Sequence, residues 1–129
     1  MKCLVVDDSA ITRRILVNSL RQIGFRQIVE ATDGKQALEL CAADVDVVIT
    51  DWNMPGMPGV ELVRSLRANP DLARIPVLLV TARNGKDDVV EAANAGVNGY
   101  IVKPFTPDTL KGKLEELLAG RPPATGTEG

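Results

Sequence analysis

Short apolar runs alternate with longer amphipathic segments along most of the chain, and this alternation restricts the fold more than any other feature. The apolar runs are Cys3 to Val6, Gln27 to Glu30, Val45 to Ile49, Val77 to Val80 and Tyr100 to Val102. They are β-branched or otherwise apolar, and they have the length of strands. Between them, apolar residues recur at helical spacing. Ile11, Ile15, Leu16, Leu20 and Ile23 form one such set, ended by Gly24. Ala37, Leu38 and Cys41 share a face over Gly34 to Cys41, and Leu62, Val63 and Leu66 do so behind Pro58, a suitable first-turn proline. Val89, Val90 and Ala93 make a fourth helix, stopped by Gly96. Leu110, Leu114, Leu117 and Leu118 make a fifth, entered through Thr106-Pro107.

Strands separated by helices pair in parallel through right-handed crossovers, because a twisted strand feeding a right-handed helix packs back onto its sheet only that way. The predicted fold is α/β, a doubly wound five-stranded parallel sheet with five helices on its two faces. The first, third and fourth runs are nearly all apolar, as strands covered on both faces are. The second is flanked by Arg26, Gln27 and Glu30, which suits an edge. The expected strand order is therefore 2-1-3-4-5. At 129 residues the chain fits one domain, placed at residues 1–119. Residues 120–129, rich in glycine and proline, are expected to form a flexible tail.

The bulk properties exclude several functions. Net charge is −2, which argues against a nucleic-acid surface or a membrane patch. No apolar run approaches the ~18 residues of a membrane span, and Met1-Lys2 leads into a strand with no signal-peptide pattern. A cytoplasmic location is the expectation. Cys3 and Cys41 do not form a CxxC pair, and the chain has no histidine. That removes a zinc site, an imidazole base, a Ser-His-Asp triad and a phosphohistidine. Both cysteines read as small buried hydrophobic residues in a reducing compartment.

In a doubly wound sheet, ligands bind beyond the carboxyl ends of the strands, where the strand order reverses. Asp7 and Asp8 follow the first strand, Thr50 and Asp51 the third, Thr81 the fourth and Lys103 the fifth. Three carboxylates, a hydroxyl and an ammonium thus fall on one rim. Such anions repel, and one is driven toward its protonated form unless cations intervene. Lys103 offsets one charge and a divalent metal would offset two more. An all-oxygen donor set without histidine selects a hard cation, Mg²⁺ or Mn²⁺, that keeps several waters. Asp51 is then a natural nucleophile toward phosphorus, giving an aspartyl phosphate. Phosphoryl transfer needs positioning and charge neutralisation, which the metal, Lys103, the Thr81 hydroxyl and the Ala82 N–H would supply. Singly, each residue has a blander role: Asp8 or Ser9 as a helix cap, Asp51 as a loop carboxylate, Thr81 as a strand end, Lys103 as a solvated lysine. Jointly, separate bland roles give no reason for all of them to share one rim.

These residues resemble the receiver domains of two-component response regulators, including the single-domain chemotaxis regulators. The resemblance covers about Met1 to Ala119 and rests on four motifs: Val5-Val6-Asp7-Asp8-Ser9, Asp51-Trp52-Asn53-Met54-Pro55-Gly56-Met57, Val80-Thr81-Ala82 and Gly99-Tyr100-Ile101-Val102-Lys103-Pro104-Phe105. It implies that Asp51 is the phosphoacceptor and Asp8 a direct metal ligand, with Asp7 acting mostly through metal-bound water. It also implies that the Asn53 backbone carbonyl is a further ligand, and that Thr81 and Lys103 contact phosphoryl oxygens. The Lys103-Pro104 bond would be cis. Tyr100 would be the ring that moves inward when Thr81 is drawn toward the phosphate. Asn53 and Arg83 occupy positions that tune dephosphorylation in this family. The segment Asn84-Gly85-Lys86-Asp87-Asp88, with one lysine and two acids, departs from the lysine-bearing pattern of regulators that act on the flagellar motor.

The implied partners are a sensor histidine kinase or a histidine phosphotransfer protein, and a downstream target protein. The implied role is a stand-alone output regulator, with an intermediate phosphate carrier and a phosphorylation-independent interaction module as alternatives. A haloacid-dehalogenase phosphatase would need a second aspartate two residues after its nucleophile, where this chain has Asn53. A flavodoxin would need hydroxyls and glycine in its phosphate loop, where this chain has Asp7 and Asp8.

Overall fold

A computed structural model describes residues 1–119. The tail expected over residues 120–129 lies outside the described residues. Ten elements alternate along the described residues: β1 (Lys2–Val6), α1 (Ala10–Ile23), β2 (Gln27–Ala31), α2 (Gly34–Leu40), β3 (Val47–Thr50), α3 (Gly59–Ala68), β4 (Val77–Thr81), α4 (Lys86–Ala95), β5 (Gly99–Val102) and α5 (Pro107–Leu118). The sheet is parallel throughout, in the order β2-β1-β3-β4-β5. That is the expected α/β fold and strand order. No described helix is long and apolar enough to cross a membrane.

Alternate strand residues face opposite sides of a sheet, and the core divides accordingly. Leu4, Val6, Val48 and Val77 pack against Ala37 of α2 and Leu62, Val63 and Leu66 of α3. Cys3, Val5, Val47, Ile49, Leu78 and Val80 pack against Leu16 and Leu20 of α1 and Leu110 and Leu114 of α5. A smaller cluster joins Trp52, Val60 and Leu79 to Ala92 and Ala95 of α4.

Two helices differ from their expected phase. In α1, Ile11 and Ile15 are 75% and 51% exposed, and Leu16 and Leu20 carry the buried face. Successive helical residues lie about 100° apart, so Ile15 points away from the direction that Leu16 buries. In α4 the buried residues are Ala92 and Ala95, while Val89, Val90 and Ala93 are exposed. The small alanine faces lie against Trp52 and Leu79, and the neighbouring valines are left outside. The third strand also begins at Val47, not Val45. Val45 is buried in a turn, donating its N–H to the carbonyl of Ala42 at 3.0 Å. Pro58 precedes α3 as its cap residue, and Gly59 takes the first helical position.

Register places the strand ends. Val6 lies opposite Thr50 across β1 and β3, and Thr81 lies opposite Val102 across β4 and β5. The residues that follow these pairs therefore emerge on one rim.

Candidate phosphoacceptor and metal site

Asp7 continues β1 and Asp51 continues β3, with the Asp51 N–H donating to the Val6 carbonyl at 3.1 Å. This bond sets the two carboxylates side by side. Lys103 is held by its own N–H donating to the Thr81 carbonyl at 2.8 Å. Its Nζ lies 3.1 Å from Asp51 Oδ2 and 3.5 Å from Asp7 Oδ2. The Lys103-Pro104 bond is cis, as the resemblance implied. One ammonium thus bridges two of the three carboxylates.

Asp7 is 1% exposed, and its Oδ1 accepts the Ser9 N–H at 2.8 Å. Burial pushes its carboxyl above the usual range, and the charges of Asp51 and Asp8 push the same way. The Ser9 N–H and Lys103 oppose the rise without cancelling it. Asp8 is exposed. The cap of α1 belongs to Ser9, whose Oγ accepts the Thr12 N–H at 3.2 Å. Capping therefore leaves the Asp8 carboxylate uncommitted. Asp8 lines an open cleft of about 330 Å³ with Trp52, Asn53, Met54, Pro55, Pro58 and Arg83.

Asp51 is partly buried, and its Oδ1 accepts the Trp52 N–H at 2.6 Å and, weakly, the Asn53 N–H at 3.4 Å. The α3 N-terminus fixes this loop: the Gly59 N–H donates to the Trp52 carbonyl at 2.8 Å. A Cβ at Gly59 would collide with the Asp51 carbonyl oxygen and lie 3.0 Å from Trp52 Cα, so only glycine fits. Thr81 is fully buried, and its Oγ1 accepts the Arg83 N–H at 3.3 Å. Ala82 follows it, exposed. The half-buried Tyr100 donates its hydroxyl to the Arg83 carbonyl at 2.7 Å. Asn53 is exposed, and its Oδ1 accepts from Arg83 Nε at 3.0 Å.

The structure thus joins Asp7 and Asp51 through Lys103, and Asp8 and Asn53 line one cleft together. Thr81 and Tyr100 are linked to Asn53 through Arg83. Sequence reasoning singled out neither the Arg83 contacts nor Gly59. Gly59 had a readable signal, a glycine opening a helix directly after the Asp51 turn; the Arg83 contacts had none. Among the described residues, no group of three carboxylate or cysteine side chains converges as a ready-made metal cage. The donor chemistry nevertheless fits a hard cation. Asp7, Asp8, Asp51 and the Asn53 carbonyl offer oxygen only, and one bridging ammonium leaves the carboxylates with excess negative charge.

The profile of the response regulator receiver domain matches residues 3–115. The chain belongs to that family of signalling domains. Within it, the chain is CheY-like. It is 52% identical over 119 residues to the chemotaxis protein CheY-3 of Vibrio cholerae, covering 92% of each chain. It is 51% identical over 119 residues to the chemotaxis protein CheY of Pseudomonas aeruginosa, covering 92% of this chain and 96% of that one. Among solved structures, V. cholerae chemotaxis protein CheY4 superposes with a TM-score of 0.83 at 34% identity, over 91% of this chain and 98% of that one. The receiver domain of the P. aeruginosa sensor histidine kinase PA1611, solved with a magnesium ion coordinated in its active-site cleft, superposes with a TM-score of 0.82 at 27% identity, over 92% and 98%.

Proposed function

We propose that Asp51 accepts a phosphoryl group from a phosphohistidine of a sensor histidine kinase or a histidine phosphotransfer protein, and that the phosphorylated chain acts on a protein target. The observation that carries this reading is Lys103 Nζ bridging the carboxylates of Asp7 and Asp51 at the switch point of the sheet. An Asp51 oxygen forms the new P–O bond as the P–N bond to the donor imidazole breaks. Lys103, the Thr81 hydroxyl and the Ala82 N–H contact the phosphoryl oxygens. Asp7, Asp8, Asp51 and the Asn53 carbonyl would hold Mg²⁺, with Mn²⁺ a chemical equivalent. When bound, the ion neutralises charge shared by the carboxylates and the phosphoryl oxygens.

The added phosphate brings nearly two negative charges and strong acceptors. It draws Thr81 toward it, and the Tyr100 ring turns into the space released. Burying that ring contributes about 1–3 kcal/mol, enough to move a two-state equilibrium by one to two decades. The CheY relatives favour chemotaxis as the pathway, in a cytoplasmic setting.

The test uses Trp52, the single tryptophan, which is buried directly after Asp51. Mg²⁺ is titrated first and acetyl phosphate added second, in wild type and Asp51→Asn, with intact-mass analysis alongside. A phosphate adduct in wild type and none in Asp51→Asn is the expected result. No adduct in wild type at saturating donor would overturn the proposal and favour a phosphorylation-independent interaction module.

A further inference from the structure

Arg83 makes more contacts across the loops around the site than any role as a surface arginine requires. Its guanidinium carbon lies 4.6 Å from the centroid of the Trp52 ring. Nε donates to Asn53 Oδ1 at 3.0 Å, and a terminal nitrogen pairs with Asp88 Oδ1 at 3.2 Å. Its carbonyl accepts the Tyr100 hydroxyl and its N–H donates to Thr81 Oγ1. One residue therefore touches the loop after β3, the buried hydroxyl of Thr81, the hydroxyl of Tyr100 and the first turn of α4. Asp88 is itself anchored, since its second oxygen accepts the Gly85 N–H at 3.3 Å at the start of α4.

We propose that Arg83 is a positioning residue that couples the first turn of α4, through Asp88, to Trp52 and Asn53 in the loop that follows Asp51. Geometry makes arginine suited to this. A planar guanidinium donates along several directions while its face stacks on an aromatic ring, so one side chain spans three partners. A lysine ammonium offers the charge without the fork. The Arg83–Asp88 pair is partly exposed, with side-chain exposures of 41% and 28%, so it holds weakly and can yield. A weak pair in series with a ring contact and a hydrogen bond is the arrangement expected of a reversible coupling. A protein that docks on α4 and engages Asp88 frees Arg83 from its outer anchor. The guanidinium then redistributes over Trp52 and Asn53. Conversely, a rearrangement of Asn53 is felt at α4. The effect on phosphate lifetime rests on the proposed phosphorylation of Asp51; the coupling itself does not.

The experiment compares Asp88→Asn with Asp87→Asn in metal-free, unphosphorylated protein. Both remove one negative charge from the same turn, but Arg83 pairs with Asp88. Asparagine at position 88 still offers an oxygen to the Gly85 N–H. The readouts are the NMR signals of the Trp52 indole N–H and the Asn53 side-chain amide, neither of which a general loss of stability would move selectively. Asp88→Asn is expected to shift both, and Asp87→Asn neither. On an Arg83→Lys background, Asp88→Asn is expected to lose most of its effect, because the fork that joined the ends is gone. Equal shifts from the two charge removals, or shifts from Asp88→Asn that persist undiminished in Arg83→Lys, would overturn the coupling. In a second arm, Asp88→Asn changes the lifetime of acetyl-phosphate-labelled protein about two- to fivefold relative to Asp87→Asn, the range a partly exposed ion pair supports. If the NMR arm succeeds and no label forms, the coupling stands and the phosphorylation reading fails.

Discussion

Alanine at Gly59 and alanine at Gly112 are the same chemical change, and the structure gives them opposite signs. At Gly59 the new methyl meets the Asp51 carbonyl oxygen and the Trp52 Cα, all backbone atoms that cannot rotate away. Overpacking of this kind costs about 1–3 kcal/mol. Displacing α3 also weakens the 2.8 Å hydrogen bond from Gly59 to Trp52, at about 0.5–1.5 kcal/mol. The helix-propensity gain of alanine, below ~1 kcal/mol and smallest at a helix start, offsets only part. The net expectation is a loss of about 2–3 kcal/mol. Gly112 lies within α5 with nothing inside 4 Å of its would-be Cβ, so alanine there stabilises by about 0.8–1 kcal/mol. Urea unfolding at constant m-value separates the two variants by about 3–4 kcal/mol. Because the collision is with Asp51 itself, Gly59→Ala also slows labelling by acetyl phosphate, and Gly112→Ala does not. A Gly59→Ala variant within ~0.5 kcal/mol of wild type, labelled at the normal rate, would refute the claim that the α3 start clamps Asp51.

Other expectations concern charge, capping and thiols. Asp7 has a carboxyl raised by burial, so the folded state binds more protons than the unfolded state above ~3.9. Its contribution to stability is full below that pH and is lost as pH rises through the raised folded value. In the presence of EDTA, the stability of wild type minus that of Asp7→Asn should therefore fall as pH rises from 4 toward 7; a flat difference would contradict the burial argument. Arg67 donates to the Gly96, Ala73 and Ile75 carbonyls and to Asn98 Oδ1, with distances between 2.7 and 3.2 Å. It thereby ties the end of α3 to the exit of α4, and Arg67→Met should cost about 2–4 kcal/mol in denaturant unfolding. A loss under ~0.5 kcal/mol would show these carbonyls to be satisfied by water instead. Burial pushes the Cys41 thiol up to about 11 and the fully buried Cys3 thiol higher still. A thiol reagent at pH 8 should label Cys41 slowly and Cys3 only at the rate of global unfolding; prompt labelling of both would contradict that burial.

Much of this architecture was legible because it depends on local pattern. Apolar runs of strand length, separated by helical spacing, determine a parallel α/β sheet, and the polar flanks of Gln27 to Glu30 mark its edge. The residues that end the strands, Asp7, Asp51, Thr81 and Lys103, were likewise predictable, since the strand ends are where the backbone leaves the core. Phase within a helix was less legible. Ile11 and Ile15 satisfied helical spacing yet lie outside, as do Val89 and Val90, because the face a helix buries is chosen by the sheet and by neighbouring helices. The assignment of the α1 cap to Ser9, which leaves Asp8 at the cleft, also needed the backbone angles. Least legible were the contacts of Arg83 with Asn53, 30 positions away, and with Trp52. The sequence by itself determined which groups reach the rim. Only the tertiary structure decided which of them touch, because a hydrogen bond or a ring contact depends on a few ångströms of separation between loops, and the register of β3 and β4 together with the seating of α3 and α4 sets that separation.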